Sequence, residues 1–157
     1  MAQLSNSKDV KNNVLIRIAL FLLVGAGNVF AQNTPVLVFE QTPCFGSCAV
    51  FKMELFKNRK LKLQADKYVP VGEGLFSSKI KRKEYKRLVK LFYTKEFFKL
   101  QDEYTSRVSD LPSKYITFND GVQSKTVLDY TNAPVELIEL EKELFLVLSK
   151  SKWKKSN

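Results

Sequence analysis

The chain has 157 residues, and 26 lysines and arginines against 16 acidic residues give it a formal net charge of +10 at pH 7. It contains no histidine, which excludes Ser-His-Asp and Cys-His catalysis and any metal or haem site that needs an imidazole ligand. None of its six glycines belongs to a phosphate-binding motif, and no nucleic-acid recognition motif accompanies the positive charge. We therefore expect no cofactor, no metal and no nucleic-acid partner.

The N-terminal segment has the three parts of a cleavable signal peptide. A short apolar run over residues 18–27 follows several basic residues and precedes the small residue Ala31. Arg17 keeps this run below the roughly 18 to 20 apolar residues of a membrane-spanning helix, so cleavage is favoured over retention as an anchor. The sequence thus predicts a signal peptide over residues 1–31, a single domain over residues 32–157, and a periplasmic or secreted location.

Four β-strands are predicted in the first half of the domain. Residues 36–42 form a β-branched and aromatic run that stops at Pro43, whose missing N–H suits the end of a strand. Residues 50–56 and 61–68 alternate apolar and polar side chains, and residues 75–80 form a shorter run. This alternation indicates strands that each bury one face.

The turn between the second and third strands decides how their apolar residues pair. We expect a three-residue loop over residues 58–60, which would pair Leu55 with Leu63. Met53 would pair with Ala65, so both apolar sets would share one face of the sheet. A two-residue loop would instead oppose an apolar residue to a lysine.

An amphipathic helix is predicted to begin near Lys81, where the apolar period changes. Its apolar residues are spaced i, i+3, i+4 and i+7, namely Tyr85, Leu88, Val89 and Phe92. Its outer side is rich in Lys and Arg, which favours a solvated surface. As an alternative, the basic helix Lys79–Lys90 would make a weak contact with an anionic envelope surface. Residues 96–104 are predicted to be an irregular connection, and the basic tail from Ser149 to be frayed.

The second half of the domain contains a hairpin signal. A three-residue loop over residues 119–121, with Gly121 in the left-handed conformation, is expected to join two strands. This loop would place one set of side chains on a common face, namely Ile116, Phe118, Val122, Thr126, Leu128 and Tyr130. Asp129 would lie on the opposite face, at the surface.

A second amphipathic helix is predicted near the C-terminus. Asn132 or Ala133 lies near its cap, Pro134 lies in its first turn, and its buried stripe consists of Leu137, Leu140, Leu144 and Leu148. The fold class is therefore expected to be α+β, with an antiparallel sheet of about six strands in the order four strands, helix, two strands, helix. Both helices would pack on one face of the sheet, because this arrangement buries both apolar stripes.

Both cysteines of the chain, Cys44 and Cys48, occur in the segment TPCFGSCAVF after the first strand. An extended chain would separate their Cα atoms by about 13 Å, whereas a disulfide requires roughly 4.4 to 6.8 Å. The intervening Phe45, Gly46 and Ser47 must therefore turn the chain, and Gly46 would accept a positive φ there. An exported location favours a disulfide, which in so small a loop stabilises the fold by about 2 kcal/mol.

Two alternatives assign chemistry to these regions. A thiol-redox protein would use the cysteine pair, but the two-residue spacing and the helix N-terminus that lower a thiol pKa in thioredoxin-like sites are missing. An acid-based hydrolase would be centred on Asp110 and Tyr104. Asp110 is more typical of a turn residue before Pro112, and Asp129 of a strand surface. A binding or structural module is therefore favoured over an enzyme.

Four segments resemble one bacterial family in the same order. TPCFGSCAVFKMELF, DEYTSRVSDLP, FNDGVQSKTVLDY and NAPVELIELEKEL are similar to the domain-of-unknown-function family 6438, over nearly all of the predicted domain. The CFGSC element is the most specific of these marks. In that family a proline and a tyrosine commonly follow the second cysteine, where this chain has Ala49 and Phe51.

The resemblance implies a small exported domain and supplies no activity. The motif residues that it carries onto this chain are Cys44, Gly46, Cys48, Tyr104, Asp110 and Pro112. We expect a monomeric, non-enzymatic structural or binding module of the cell envelope. Its candidate binding residues are Phe45, Gly46, Tyr104 and Asp110, and its disulfide joins Cys44 to Cys48.

Overall fold

The computed structural model describes residues 34–107 and 110–156, so the predicted signal peptide over residues 1–31 lies outside the described residues. In chain order the elements are β1 (Pro35–Gln41), β2 (Val50–Phe56), β3 (Lys60–Lys67), β4 (Gly74–Lys79), α1 (Arg82–Thr94), β5 (Glu103–Tyr104), β6 (Lys114–Asn119), β7 (Ser124–Asp129), α2 (Val135–Lys150) and β8 (Lys154–Lys155). The strands form a single sheet in the order β5-β7-β6-β1-β2-β3-β4-β8. Neither described helix is long and apolar enough to cross a membrane.

The predicted α+β class is confirmed, but the antiparallel sheet of six strands is wrong in two respects. The described residues form eight strands, and the sheet is mixed because β5 runs parallel to β7. Both additional strands, β5 and β8, have only two residues, which is too short for an alternating pattern to be recognised. β5 occupies only the last two residues of the predicted irregular connection, which also contains a short 3-10 helix over Phe97–Lys99, and β8 lies within the predicted frayed tail. In that tail Trp153 Nε1 donates to the carbonyl of Leu148 at 2.7 Å.

Both helices cover the same face of the sheet. Leu88 of α1 and Leu144 of α2 line one small internal gap together with Leu37, Phe39 and Met53 of the strands. The predicted stripe of α2 is buried in full, because residues spaced three and four apart lie on one side of a helix. The core is therefore a single layer between sheet and helices, and the other face of the sheet carries exposed side chains such as Lys52 and Lys62.

The hairpin of β2 and β3 has a register shifted by two residues from the expected one. Its three-residue loop covers residues 57–59 rather than 58–60, and Arg59 has a positive φ of 71°. Leu55 therefore pairs with Leu61, and Met53 with Leu63. A shift of two residues leaves every side chain on its original face, so the expected common apolar face is correct although the expected pairs are wrong.

The hairpin of β6 and β7 departs further from expectation. Asn119 pairs with Ser124, so the loop has four residues rather than three. Asp120 Oδ1 accepts the backbone N–H groups of Val122 and Gln123 at 2.8 and 2.9 Å, which favours this longer loop. An odd change of register moves a strand's side chains to the opposite face. Consequently Asp129 faces the helices and is buried, and its predicted surface position is wrong.

Candidate functional site

The turn between β1 and β2 contains the predicted disulfide. Cys44 and Cys48 are bonded, with their Cα atoms 5.8 Å apart, and both cysteines are half-buried. The three residues between them are exposed, and Phe45 is 89% accessible. The disulfide therefore closes a short loop that presents an aromatic side chain to solvent.

Gly46 does not have the conformational role expected of it. Its φ is not positive, unlike that of Gly121 at 95°. A Cβ added at Gly46 would meet Cys44 Sγ at 3.8 Å, which is an ordinary van der Waals contact. The turn is therefore formed by the disulfide and by contacts with its surroundings rather than by glycine geometry.

Backbone hydrogen bonds attach the disulfide turn to the segment before β6. The N–H of Thr42 donates to the carbonyl of Ser113, and the N–H of Ser113 donates to Thr42 Oγ1, both at 2.9 Å. The N–H of Phe45 donates to the carbonyl of Asp110 at 3.4 Å. The structure thus brings Phe45 and Asp110 together, and it does so through the backbone of Asp110, which has a positive φ of 71°.

Tyr104 lies elsewhere, on the outermost strand β5. Its hydroxyl accepts the N–H of Gln101 at 3.0 Å, and its carbonyl accepts the N–H of Tyr130 at 2.9 Å. Two strands, β7 and β6, separate β5 from β1, which places β5 about 14 Å from β1 across the sheet. Tyr104 therefore belongs to the sheet edge and is not part of the disulfide turn.

Three ionisable side chains, here called the ionic cluster, meet between the sheet and α2. Lys114 Nζ lies 2.6 Å from Asp129 Oδ2 and also contacts Glu141 Oε2. The side chains of Asp129 and Glu141 are only 7% and 6% exposed. Gln41 pairs with Lys114 in the sheet and donates from Nε2 to the carbonyl of Ala49 at 2.8 Å. The cluster is thus connected to the disulfide turn through β1.

Burial controls the protonation of the ionic cluster. Desolvation raises the pKa of Glu141 to about 7, and the hydrogen bond and charge of Asp129 act in the same direction against the opposing effect of Lys114. Desolvation lowers the pKa of Lys114, but its hydrogen bonds to both carboxylates outweigh this effect and raise that pKa overall. Glu141 therefore changes its charge near neutral pH.

The ionic cluster is suited to a structural role. Asp129 Oδ1 and Glu141 Oε1 are buried and have no hydrogen-bond partner among the described residues. Because these oxygens are buried, a substrate has no direct access to them. Within residues 34–107 and 110–156, no group of three or more Cys, Asp or Glu side chains is arranged to hold a metal ion.

Sequence analysis did not single out Lys114 or Glu141. One signal was available for Glu141, which lies four residues after Leu137 and three before Leu144 on the buried stripe of α2. A carboxylate at such a position requires a buried partner. Nothing comparable identifies Lys114, since its inward direction depends on how β6 pairs with its neighbours.

An apolar groove of about 620 Å³ lies beside the disulfide turn. Its lining includes Ala49, which follows Cys48, residues 69–71, and Phe145 and Leu146 of α2. Phe145 is held in place by its ring contact with Phe39, at a centroid separation of 4.8 Å. Leu146 is 42% exposed. The groove is therefore a concave apolar surface with a fixed aromatic wall.

Most cations of the predicted basic helix Lys79–Lys90 are exposed, but the helix begins at Arg82, and Lys79 is the last residue of β4. Lys81, Arg82, Lys83, Lys86 and Lys90 are exposed. Arg87 is different because its Nη2 lies 2.7 Å from Glu143 Oε2 of α2. The hydrogen bond to Glu143 raises the pKa of Arg87. One cation of this helix thus joins the two helices, and the others form a solvated surface.

Comparison with known proteins identifies a family without identifying an activity. The model of the family described as Domain of unknown function (DUF6438) matches residues 35–148. No curated protein and no solved structure matches the chain. The matched residues begin at the first residue of β1, include the disulfide turn and the ionic cluster, and end near the end of α2. Since the match covers more than half of the sequence, the chain belongs to the family Domain of unknown function (DUF6438).

Proposed function

We propose that this protein is an exported, non-enzymatic binding module of the bacterial cell envelope, and that the apolar groove is its ligand site. The carrying observation is the groove itself, whose volume of about 620 Å³ falls within the usual range of ligand pockets. The sequence of residues 1–31 supports export, and the disulfide of Cys44 and Cys48 suits an oxidising compartment.

The disulfide turn supports this proposal by stabilising one end of the groove. Ala49 lines the groove directly after Cys48, and its carbonyl accepts the hydrogen bond of Gln41 at 2.8 Å. A closed turn limits the number of conformations that Ala49 can adopt, which reduces the entropy lost when a ligand binds. The ionic cluster holds the same region of α2 against the sheet.

Binding of a neutral apolar reporter, N-phenyl-1-naphthylamine, tests the proposal. We expect saturable fluorescence enhancement by the purified protein, and about a tenfold loss of affinity in Leu146→Gln because a polar group would enter the apolar wall. Val122→Gln is the matched control, since Val122 is 95% exposed in the β6–β7 loop and lies outside the groove lining. Equal binding by both variants, or no saturable binding by the native protein, would refute the groove as a ligand site.

A thiol-redox function is the second candidate, because the cysteine pair lies on a turn whose three central residues are exposed. The structural role predicts a reduction potential below about −300 mV, and a redox role predicts one near those of glutaredoxins, at about −200 to −230 mV. Replacing both cysteines by serine should lower the free energy of unfolding by about 2 kcal/mol. Equilibration of the exported protein with glutathione buffers, followed by mass spectrometry, distinguishes the structural role of the disulfide from a redox role.

A further inference from the structure

The residues of α2 that line the groove are regularly spaced along the helix. Lys142, Phe145, Leu146 and Ser149 all line the groove, and their spacing of i, i+3, i+4 and i+7 places them on one side of the helix. Lys142 and Ser149 are separated by about 10 Å along the helix axis. The groove therefore has an apolar middle, a cation at one end and a hydroxyl at the other.

Lys142 is an available cation. It is exposed, and no ion pair or hydrogen bond joins its ammonium group to another side chain in the part of the chain that the structure describes. Some lysines have acidic partners, such as Lys52 with Glu40 and Lys125 with Asp102, but Lys142 is, among the described residues, an unpaired lysine that lines the groove. No acidic residue is among the described residues that line the groove, and the nearby Glu139 and Glu143 of α2 are paired with Lys95 and Arg87.

We propose that the groove binds a single-chain alkyl carboxylate, with its carboxylate at Lys142 and its alkyl chain along Phe145 and Leu146. This inference rests on the proposed function, since it assigns a ligand class to the same groove. An alkyl chain gains free energy for each methylene that it buries, and the apolar walls supply that contact. The ammonium group then distinguishes an anionic end from a neutral or cationic one.

The concave shape favours one chain over a lipid surface. Two separate segments, residues 69–71 and α2, supply the walls of this concave surface, and a ligand that fills it contacts both. A flat bilayer would contact only the rims of these walls, whereas a single extended chain can lie between them. The groove is therefore assigned to a monomeric amphiphile, and a membrane surface is the competing outcome.

Three amphiphiles with the same chain test the charge preference. Decanoate, decanol and decyltrimethylammonium are titrated into the native protein below their aggregation concentrations, by calorimetry and by displacement of the naphthylamine reporter. We expect decanoate to bind about fivefold more tightly than decanol, as one partly exposed ion pair supplies, and decyltrimethylammonium to bind most weakly. The preference for decanoate should decrease at high salt.

Lys142→Gln should reduce decanoate affinity to that of decanol and leave decanol affinity unchanged. The matched control is Lys150→Gln, which removes an exposed lysine of the same helix outside the groove lining and should preserve the preference. Equal affinities for all three amphiphiles would overturn the carboxylate assignment and leave the groove as a ligand site.

A different result would overturn the choice of a single chain. If vesicles containing phosphatidylglycerol bind the protein in a manner that depends on Lys142 while decanoate does not bind by calorimetry, the site recognises a membrane surface. If the naphthylamine reporter also fails to bind, the proposed function fails together with this inference. Each outcome therefore separates the ligand class from the existence of the groove site.

Discussion

Strand β6 begins and ends in two different kinds of buried environment. At its first residue, Lys114 joins two buried carboxylates, whereas at Phe118 the strand enters a group of aromatic rings. The ring centroids of Phe92 and Phe98 lie 4.9 and 5.1 Å from that of Phe118. These two regions are about 13 Å apart along one strand, yet one depends on charge and the other on apolar packing.

The comparison shows that similar burial has different energetic consequences at the two ends of β6. Apolar burial stabilises the aromatic end equally at pH 5.5 and pH 8, because its ionisable neighbours titrate outside this range: burial raises the pKa of Tyr93, and backbone hydrogen bonds lower the pKa of Asp120. The ionic end combines an unfavourable desolvation with favourable pairing, so its contribution depends on which groups are ionised. The end that supports the groove and the disulfide turn is therefore also the end that responds to pH.

The largest effects on the free energy of unfolding are expected when the aromatic end of β6 loses Phe118 and the ionic end loses Lys114. Phe118→Ala should lower the free energy of unfolding by about 4 kcal/mol, because Phe118 is fully buried, and the loss should be equal at pH 5.5 and pH 8. Lys114→Met should cost about 3 kcal/mol at pH 8, where two carboxylates would remain buried without a cation, and less at pH 5.5. Denaturant unfolding of both variants at pH 5.5 and pH 8 measures these losses of unfolding free energy. Parallel pH dependence in the two variants would contradict the comparison.

A smaller effect on the free energy of unfolding is expected from the titration of Glu141 itself. Its pKa is raised from 4.5 to about 7 in the folded state, so the folded protein binds more protons than the unfolded chain between these values. Its contribution to stability is complete below about pH 4.5 and is lost as the pH rises to 7, a change of about 2 to 3 kcal/mol. Glu141→Gln should remove this dependence from the unfolding free energy.

Glu139→Gln is the control for that titration, because Glu139 lies on the same helix and is 45% exposed beside Lys95. It should leave the difference in stability between pH 5 and pH 7.5 nearly as in the native protein. An identical pH dependence in the native protein and Glu141→Gln would show that Glu141 does not titrate in this range.

The smallest effects on the free energy of unfolding are expected from glycine substitutions in two turns, one near the aromatic end of β6 and one near its ionic end. Gly121→Ala should lower the free energy of unfolding by about 1 kcal/mol, because Gly121 has a φ of 95° that an alanine adopts with strain. Gly46→Ala should change it by less than about 0.5 kcal/mol, since its φ is not positive and its nearest neighbour leaves room for a Cβ. Thermal unfolding of both variants tests whether the disulfide turn depends on glycine.

Different parts of the fold were predictable to different degrees. The helices and the longer strands follow from local apolar periods, and the disulfide is favoured by the exported context together with a glycine-containing turn between two nearby cysteines. The short strands β5 and β8 have no such period, since each gains its hydrogen bonds only from a neighbour that is distant in sequence, β7 or β4. Of the candidate residues, Phe45 and Asp110 meet, whereas Tyr104 belongs to another edge.

By itself the sequence determined the α+β class, the stripes that both helices bury, the closed turn of Cys44 and Cys48, and the exclusion of imidazole chemistry. Only the tertiary structure decided the register of β6 and β7, and with it the burial of Asp129 beside Lys114 and Glu141. Only the tertiary structure also brought residues 69–71 and Phe145 together in the lining of one groove. The physical reason is that local patterns fix which face a segment buries, whereas loop hydrogen bonds and packing between distant segments fix what that face meets.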